Sequence, residues 1–594
     1  MALSRSHRRR ALLILTAATT ILFISAATRA REARACGCFA PPDPSVPIVQ
    51  AGERILFAIE DGTVTAHIQV QYSGPAEQFG WILPLPSVPE FALGTDELFA
   101  QLIAQTQPKY ILNDEFQGMC GQQPPNGAGA PSSDSGESGG SPLVLRATVG
   151  PYEYAVLKGD SKDEMLAWLN DNGFFVPAGT ADVVAPYVYP GAYFLALKLQ
   201  KGEDTGDLQP VVVKYKSALP MIPLILTSVA ADPNMGILVW ILGEHRAIPR
   251  NYYHTVINDA AIDWINFGKN YVDVITRAVN EAEGGPIAAN AAHQSFVTEY
   301  AGPSNIVSGR LDYSGRFGNV EELAKITDAL TYVEYLTYNG YAVGTNAPPF
   351  VAQFSSQMLS LLERELPEPA ALAKEGITAS DYYTSMRYWV ESYSVDHPEL
   401  FTDLDLDFDP VALTDDINTR IVEPTLAAGA LLASEPYLTR MFTTLSPEEM
   451  LRDPTFSFNP TLPDVSNIHQ GRVIYYCDSM MSLPDGQPFD KTKLEALIIT
   501  EQGFKVWLPH GTSENPWDDG VLDDEMPDSR QTQMLREEGG PDVVFDNADI
   551  IARFEASTGG GCQVGNGAGG AGSAILLAVA ALFGLARRRR SPEA

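Results

Sequence analysis

Cysteine, histidine and positive charge are all scarce in this 594-residue chain, which carries five Cys, eight His and 40 Lys+Arg against 74 Asp+Glu. The shortage of basic residues excludes a nucleic-acid partner, because an acidic surface repels phosphate backbones and anionic lipid alike. The H-E-x-x-H spacing of zinc proteases is missing. No serine nucleophile elbow or phosphate-cradling glycine loop sits between a strand and a helix, so the common hydrolase and nucleotide motifs supply no assignment. Long apolar runs are confined to the two ends.

Those ends read as address labels. Arg5, Arg8, Arg9 and Arg10 form a basic leader, Ala11 to Ala27 an apolar stretch, and Ala33-Arg34-Ala35 an A-x-A site. Residues 1–35 are therefore expected to be a secretory signal peptide cleaved between Ala35 and Cys36. Ala33 stands where a lipoprotein signal carries leucine, which favours ordinary cleavage over lipidation at Cys36. At the other end, Gly559-Gly560-Gly561-Cys562 precedes an apolar segment at 573–586 and the basic tail 587–594, which opens with four arginines. The apolar segment reaches the ~20 residues of a spanning helix only with part of the glycine-rich stretch included. The arginines favour the cytoplasmic side and leave Cys562 outside. This arrangement resembles the myxobacterial C-terminal sorting tag (MYXO-CTERM). The resemblance implies a membrane partner, removal of the tail by a sorting protease, Cys562 as the processed residue, and anchoring at the cell surface or outer envelope. A second cysteine common in such tags is missing here, and a plain single-pass anchor is the alternative.

Removing both ends takes away eleven arginines and two glutamates, leaving 29 basic and 72 acidic residues, a net charge of −43. Solubility on an exposed surface accounts for such an excess, and attraction of divalent cations is the sharper alternative. The roughly 525 residues between the processing sites suggest two to four domains. With Cys562 assigned to the tag, Cys36, Cys38, Cys120 and Cys477 are expected to form two disulfides in an oxidising compartment, with connectivity open.

Along the mature chain, Ile55, Phe57 and Ile59 alternate with polar neighbours, Asp61-Gly62 makes a turn, and Val64, Ala66, Ile68 and Val70 alternate again, predicting a hairpin with one buried face. His67 falls on the face expected to meet solvent. Trp81 to Pro86 is expected to interrupt regular structure because its prolines lack ladder donors. The Gly-, Ser- and Pro-rich stretch 118–142 is expected to be a disordered insertion. Strands are predicted at 152–157, 193–199, 211–215 and 236–242, with a helix over 161–170.

Several motifs in this half occur together: Cys36-Gly37-Cys38-Phe39, Gln50 to Phe57, Phe79-Gly80-Trp81-Ile82-Leu83-Pro84, Pro220-Met221-Ile222-Pro223 and Phe296 to Ala301. They resemble the bacterial family called domain of unknown function 2330. The resemblance implies an extracytoplasmic protein and brings no catalytic residues with it.

The expected fold class is α+β: a β-rich domain at 36–318, a mainly helical region at 319–470, a late β segment at 471–510 and an acidic, then glycine-rich linker at 511–572. Ser446-Pro447-Glu448-Glu449 reads as a capping box. Candidate chemistry gathers in two places. Glu244-His245-Arg246 and Arg250 to His254 bring two histidines, a carboxylate and arginines together. Asp403, Asp405, Asp407 and Asp409 alternate, offering the oxygen ligands that calcium, the single cofactor considered, would take. Phe408 and Thr414 stand where an EF-hand needs Gly and Glu. No catalytic residue follows from these patterns. The expected function is a surface-anchored, non-enzymatic binding or structural protein of the cell envelope with an unknown envelope or extracellular ligand; a secreted hydrolase assembled from scattered residues is the alternative.

Overall fold

The computed structural model describes residues 52–70, 81–117, 146–149, 151–172, 180–199, 208–229, 231–284, 294–309, 317–344, 352–476, 494–509, 516–517 and 526–558. The expected signal peptide, the insertion 118–142, all five cysteines and the C-terminal tag lie outside them. Among the described residues no helix is long and apolar enough to cross a membrane.

An α+β architecture is built on one ten-stranded mixed sheet. Its strands are β1 (Glu53–Glu60), β2 (Thr63–Val70), β3 (Glu90–Leu93), β4 (Val211–Lys216), β5 (Met235–Gly243), β6 (Tyr253–Ile257), β7 (Ser295–Pro303), β8 (Tyr437–Leu445), β9 (Ser529–Met534) and β10 (Asp542–Asp546). They lie side by side in the order β10-β9-β6-β7-β8-β5-β1-β2-β4-β3. The pairs β1/β5 and β6/β7 are parallel and the others antiparallel. The β1–β2 hairpin turns on Asp61 and Gly62 at φ of 47° and 67°, as a two-residue turn of the primed type requires.

Both faces of the sheet's central strands are covered, while the outermost strand β10 is exposed. On one face Ile55, Phe57, Val64, Ala66, Ile68, Val239 and Ile241 pack against a four-stranded sheet, ordered 81–85, 193–199, 152–158 and 146–149. On the other, Leu56, Leu238, Trp240 and Phe442 pack against helices α1 (Asp96–Thr106) and α2 (Tyr271–Gly284), with Ala428 and Leu432. A second four-stranded sheet closes that side, with the strand at 468–476 parallel to the strand at 109–117. Double coverage explains the near-continuous apolar sequence of β5, MGILVWILG. It also corrects the expectation of one buried hairpin face: His67, placed in solvent by alternation, is 3% exposed.

Three further expectations change. Trp81–Leu85 is a strand, paired antiparallel with Tyr193–Leu197 at the edge of its sheet, where Pro84 leaves no ladder bond broken inside. The region 319–470 is helical only to Ser434; β8 then enters the main sheet between β7 and β5, and short strands follow at 456–459 and 468–476. The helices therefore form an excursion between adjacent antiparallel strands, with a core of their own around Tyr332, Met358, Leu362 and Tyr382. The stretch 511–572 contains β9, β10 and a helix at 548–558 in place of a continuous linker; the polar sequence of β9, SRQTQM, hid an outer strand. Ser446 and Glu449 form the expected capping box over a single 3-10 turn.

A buried charge pair ties the layers. Arg440 on β8 donates its Nε to Glu299, and both side chains are fully buried. Glu299 lies where the β7–β8 register shifts between Thr298 and Tyr300. Tyr271 Oη at the start of α2 donates to Glu299 Oε1 at 2.7 Å. Thr106 Oγ1 at the end of α1 accepts from Arg440 Nη1 at 3.3 Å and Trp240 Nε1 at 3.0 Å. The guanidinium lies 5.4 Å from the Trp240 ring centroid. Breaking one partner of such a pair leaves a charge in an apolar interior, at a cost of about 3–5 kcal/mol. Glu299→Leu should destabilise the fold by that order, and combining it with Arg440→Met should recover much of the loss. Denaturant unfolding of the three variants reads this; an unchanged midpoint for Glu299→Leu would refute it.

Candidate ligand pocket

A pocket of about 340 Å³ opens between the main sheet and the edge of the smaller sheet. This is near the lower end of the ~300–1,000 Å³ range of small-molecule sites. Its floor follows from strand alternation: Glu53, Ile55 and Phe57 project from one face of β1, and Ala66 and Ile68 lie opposite on β2. Ala66 pairs with Phe57 in the register, and its small side chain leaves room beside the larger ring. Tyr215 extends the floor on β4. Leu83, Leu85, Pro84 and Pro86 form the roof, and Ser217 to Leu219 form a wall. Tyr187 Oη donates to both oxygens of Asp453, at 2.9 and 2.7 Å, while Asp453 accepts from Ile225 N, so the tyrosine wall is braced from behind.

Among the described residues Glu53 is the sole carboxylate in this lining, which contains no Lys, Arg or His. Its side chain belongs to a residue only 8% exposed, and among the described residues its Oε2 has no hydrogen-bond partner. Burial pushes its carboxyl from an ordinary value of 4.5 up to about 7. A carboxyl held this way can donate as an acid or, once ionised, pair with a positive group. The sequence signal was available: Glu53 has the same strand parity as Ile55, Phe57 and Ile59, so an acid begins an apolar row. Alternation alone did not distinguish a pocket from a continuous core.

The histidines singled out from sequence do not assemble. His245 and Glu244 are exposed at the turn after β5. His254 is buried on β6, where its Nδ1 lies 3.2 Å from Gln533 Oε1. Burial, aided by the positive charge of Arg246, lowers its pKa to about 3; burial likewise lowers that of His67 to about 4. The four aspartates alternate as expected, with Asp403, Asp405, Asp407 and Asp409 exposed and Leu404, Leu406 and Phe408 half-buried. Three of their carboxylates serve the backbone: Asp403 accepts from Ala370 N, Asp405 from Asp407 N, and Asp409 from Val411 and Ala412 N at a helix start. Among the described residues no three His, Cys, Asp or Glu side chains gather into a group able to hold a metal ion.

A second polar cluster has a structural use. Asp259, whose pKa burial raises to about 6, accepts from Thr500 Oγ1 and Gln502 N and ties the late sheet to the main one. His469 stacks on Tyr110 and lies 2.7 Å from Glu501.

The family described as "Uncharacterized protein conserved in bacteria (DUF2330)" matches residues 31–418, and the chain belongs to it. The match includes the pocket lining apart from Thr455 and runs into the helical excursion, beyond the motifs that first suggested it. No curated protein and no solved structure matches the chain.

Because folding raises the Glu53 pKa, the native state binds the proton more tightly than the unfolded chain. The associated stability is present below pH 4.5 and is lost as pH rises through about 7. Glu53→Gln should therefore be more stable than the parent at pH 8, by on the order of 3 kcal/mol, with the difference shrinking towards pH 4.5. Comparing the two proteins at each pH cancels the opposite trend from His67 and His254. A stability difference independent of pH would refute the assignment.

Proposed function

We propose that this chain is an exported, surface-anchored cell-envelope protein that binds a small ligand with an apolar body in the pocket above β1 and β2. The observation that carries the binding reading is the pocket itself, apolar on floor and roof, with one unpartnered carboxyl oxygen at Glu53. Neither His245 nor His254 lines it, which favours a binding module over a hydrolase. The basic and apolar leader ending at Ala35, and the Gly-Cys, apolar and arginine sequence at the other end, support export and anchoring.

Two measurements test the two parts. Calorimetric titration of the full mature chain with 1-hexanol should give saturable binding. Ala218→Trp, at an exposed position on the pocket wall, should abolish it without changing the melting temperature. Hexanol binding unaffected by the substitution would overturn the pocket reading. Mass spectrometry of surface-exposed protein should find its C-terminus before Arg587, and Cys562→Ala should retain the tail in the inner membrane. Intact Arg587 to Arg590 in the displayed protein would overturn the processing.

A further inference from the structure

We infer that the pocket selects an organic ammonium ligand, with its cationic nitrogen against Glu53 and its apolar body along Ile55, Phe57, Leu83 and Leu85. This inference rests on the reading of the pocket as a binding site and specifies the chemistry of its occupant. Three observations favour a cation over a neutral or anionic ligand. Among the described residues the lining provides one acid and no base, and the Oε2 of that buried acid is unpartnered. A buried carboxylate costs most when unpaired, so a ligand bringing a positive hydrogen-bond donor recovers what the empty site forfeits. Three tyrosines, Tyr187, Tyr189 and Tyr215, contribute to the lining, and aromatic faces attract cations. The chain's formal charge of −34 draws cations towards it and disfavours carboxylate amphiphiles.

The groups facing Glu53 across the pocket set the pH response. Tyr187 and Tyr215 titrate far above neutrality because burial, and for Tyr187 also Asp453, raises them. Asp453 lies behind Tyr187 and has its hydrogen bonds already made, with Ile225 N and the tyrosine itself. Among the described residues Glu53 is thus the group in this lining that changes charge near neutrality. An ammonium ligand should bind more tightly as Glu53 loses its proton, a carboxylate ligand less tightly, and an alcohol equally at both ends of the range.

Titration of the full mature chain with hexylammonium, 1-hexanol and hexanoate at pH 6 and pH 8 separates these cases. The expected result is hexylammonium bound more tightly than hexanol at pH 8, with its affinity about tenfold lower at pH 6, as the ionised fraction of a carboxyl near pH 7 dictates. Glu53→Gln, which keeps the side chain's shape, should lose at least that factor for hexylammonium and leave hexanol unchanged. Ala218→Trp should abolish binding of both. Equal affinities for hexylammonium and hexanol, or loss of both in Glu53→Gln, would overturn the ammonium assignment and leave the pocket reading standing. Tighter binding of hexanoate would overturn it in favour of an anionic ligand. Failure of all three probes would overturn both.

Discussion

The pairing of Arg440 with Glu299 is the constraint on which the layered fold depends, because it places a full charge of each sign where no water reaches. Neither charge is tolerable alone in that interior. Their pairing needs β7 and β8 side by side, and the Tyr271 and Thr106 hydrogen bonds need α2 and α1 on the same face. Four residues spread from Thr106 to Arg440 must therefore be in place together. The two ends of the helical excursion from β7 to β8 are held at neighbouring strands by this pair.

The excursion is tied back at polar points. Gln357 donates to Asp96 Oδ2, Gln69 donates to Asp96 Oδ1, and Arg54 donates to Gln69 Oε1 at 2.9 Å, forming a chain from the helical core through α1 to the hairpin. Gln209 reaches the carbonyl of Arg420, and Thr425 meets Thr95 at 3.1 Å. Apolar packing is non-directional, whereas these bonds fix orientation; satisfied buried networks specify one arrangement among several of similar burial. The faces of β1 and β2 divide accordingly. Arg54 and Gln69 turn towards the helices, and Glu53 and Ile68 turn towards the pocket.

Much of the strand framework was legible because period-two alternation and turn chemistry are local. The hairpin at Asp61-Gly62, the strands around 152–158, 193–199, 211–216 and 235–243, and the late strands at 494–499 and 505–509 all carried that signal. What failed was long-range. His67 looked solvent-facing because a single hairpin cannot reveal that helices cover its second face. The segment Tyr437–Leu445 follows a helical stretch and mixes threonines with apolar residues on both faces, so its place inside the main sheet depended on partner strands far earlier in the chain, Met235–Gly243 and Ser295–Pro303. In the candidate site, the apolar row of β1 was readable; the roof from Leu83 to Pro86 was hidden because Pro84 and Pro86 carry the local signal of a break. Cross-strand placement at a sheet edge is a tertiary property, and no local pattern encodes it.

Glu299 and Glu53 show two treatments of the same functional group in one sheet. Glu299 is surrounded by Arg440 and Tyr271 and does structural work with its charge. Glu53 lies two strands away from β8 on the opposite face, buried among apolar side chains, with one oxygen unmatched and its pKa displaced by burial alone. Folding would be served better by Gln or an apolar residue at that position, since an unpaired buried acid penalises the native state above neutral pH. A residue that works against stability at the floor of an open pocket is where a site departs from the consistency seen elsewhere in the sheet. The same desolvation that penalises the empty site strengthens an incoming partner of opposite charge, so the cost carried by the free protein and the selectivity proposed for the bound one have a single physical origin.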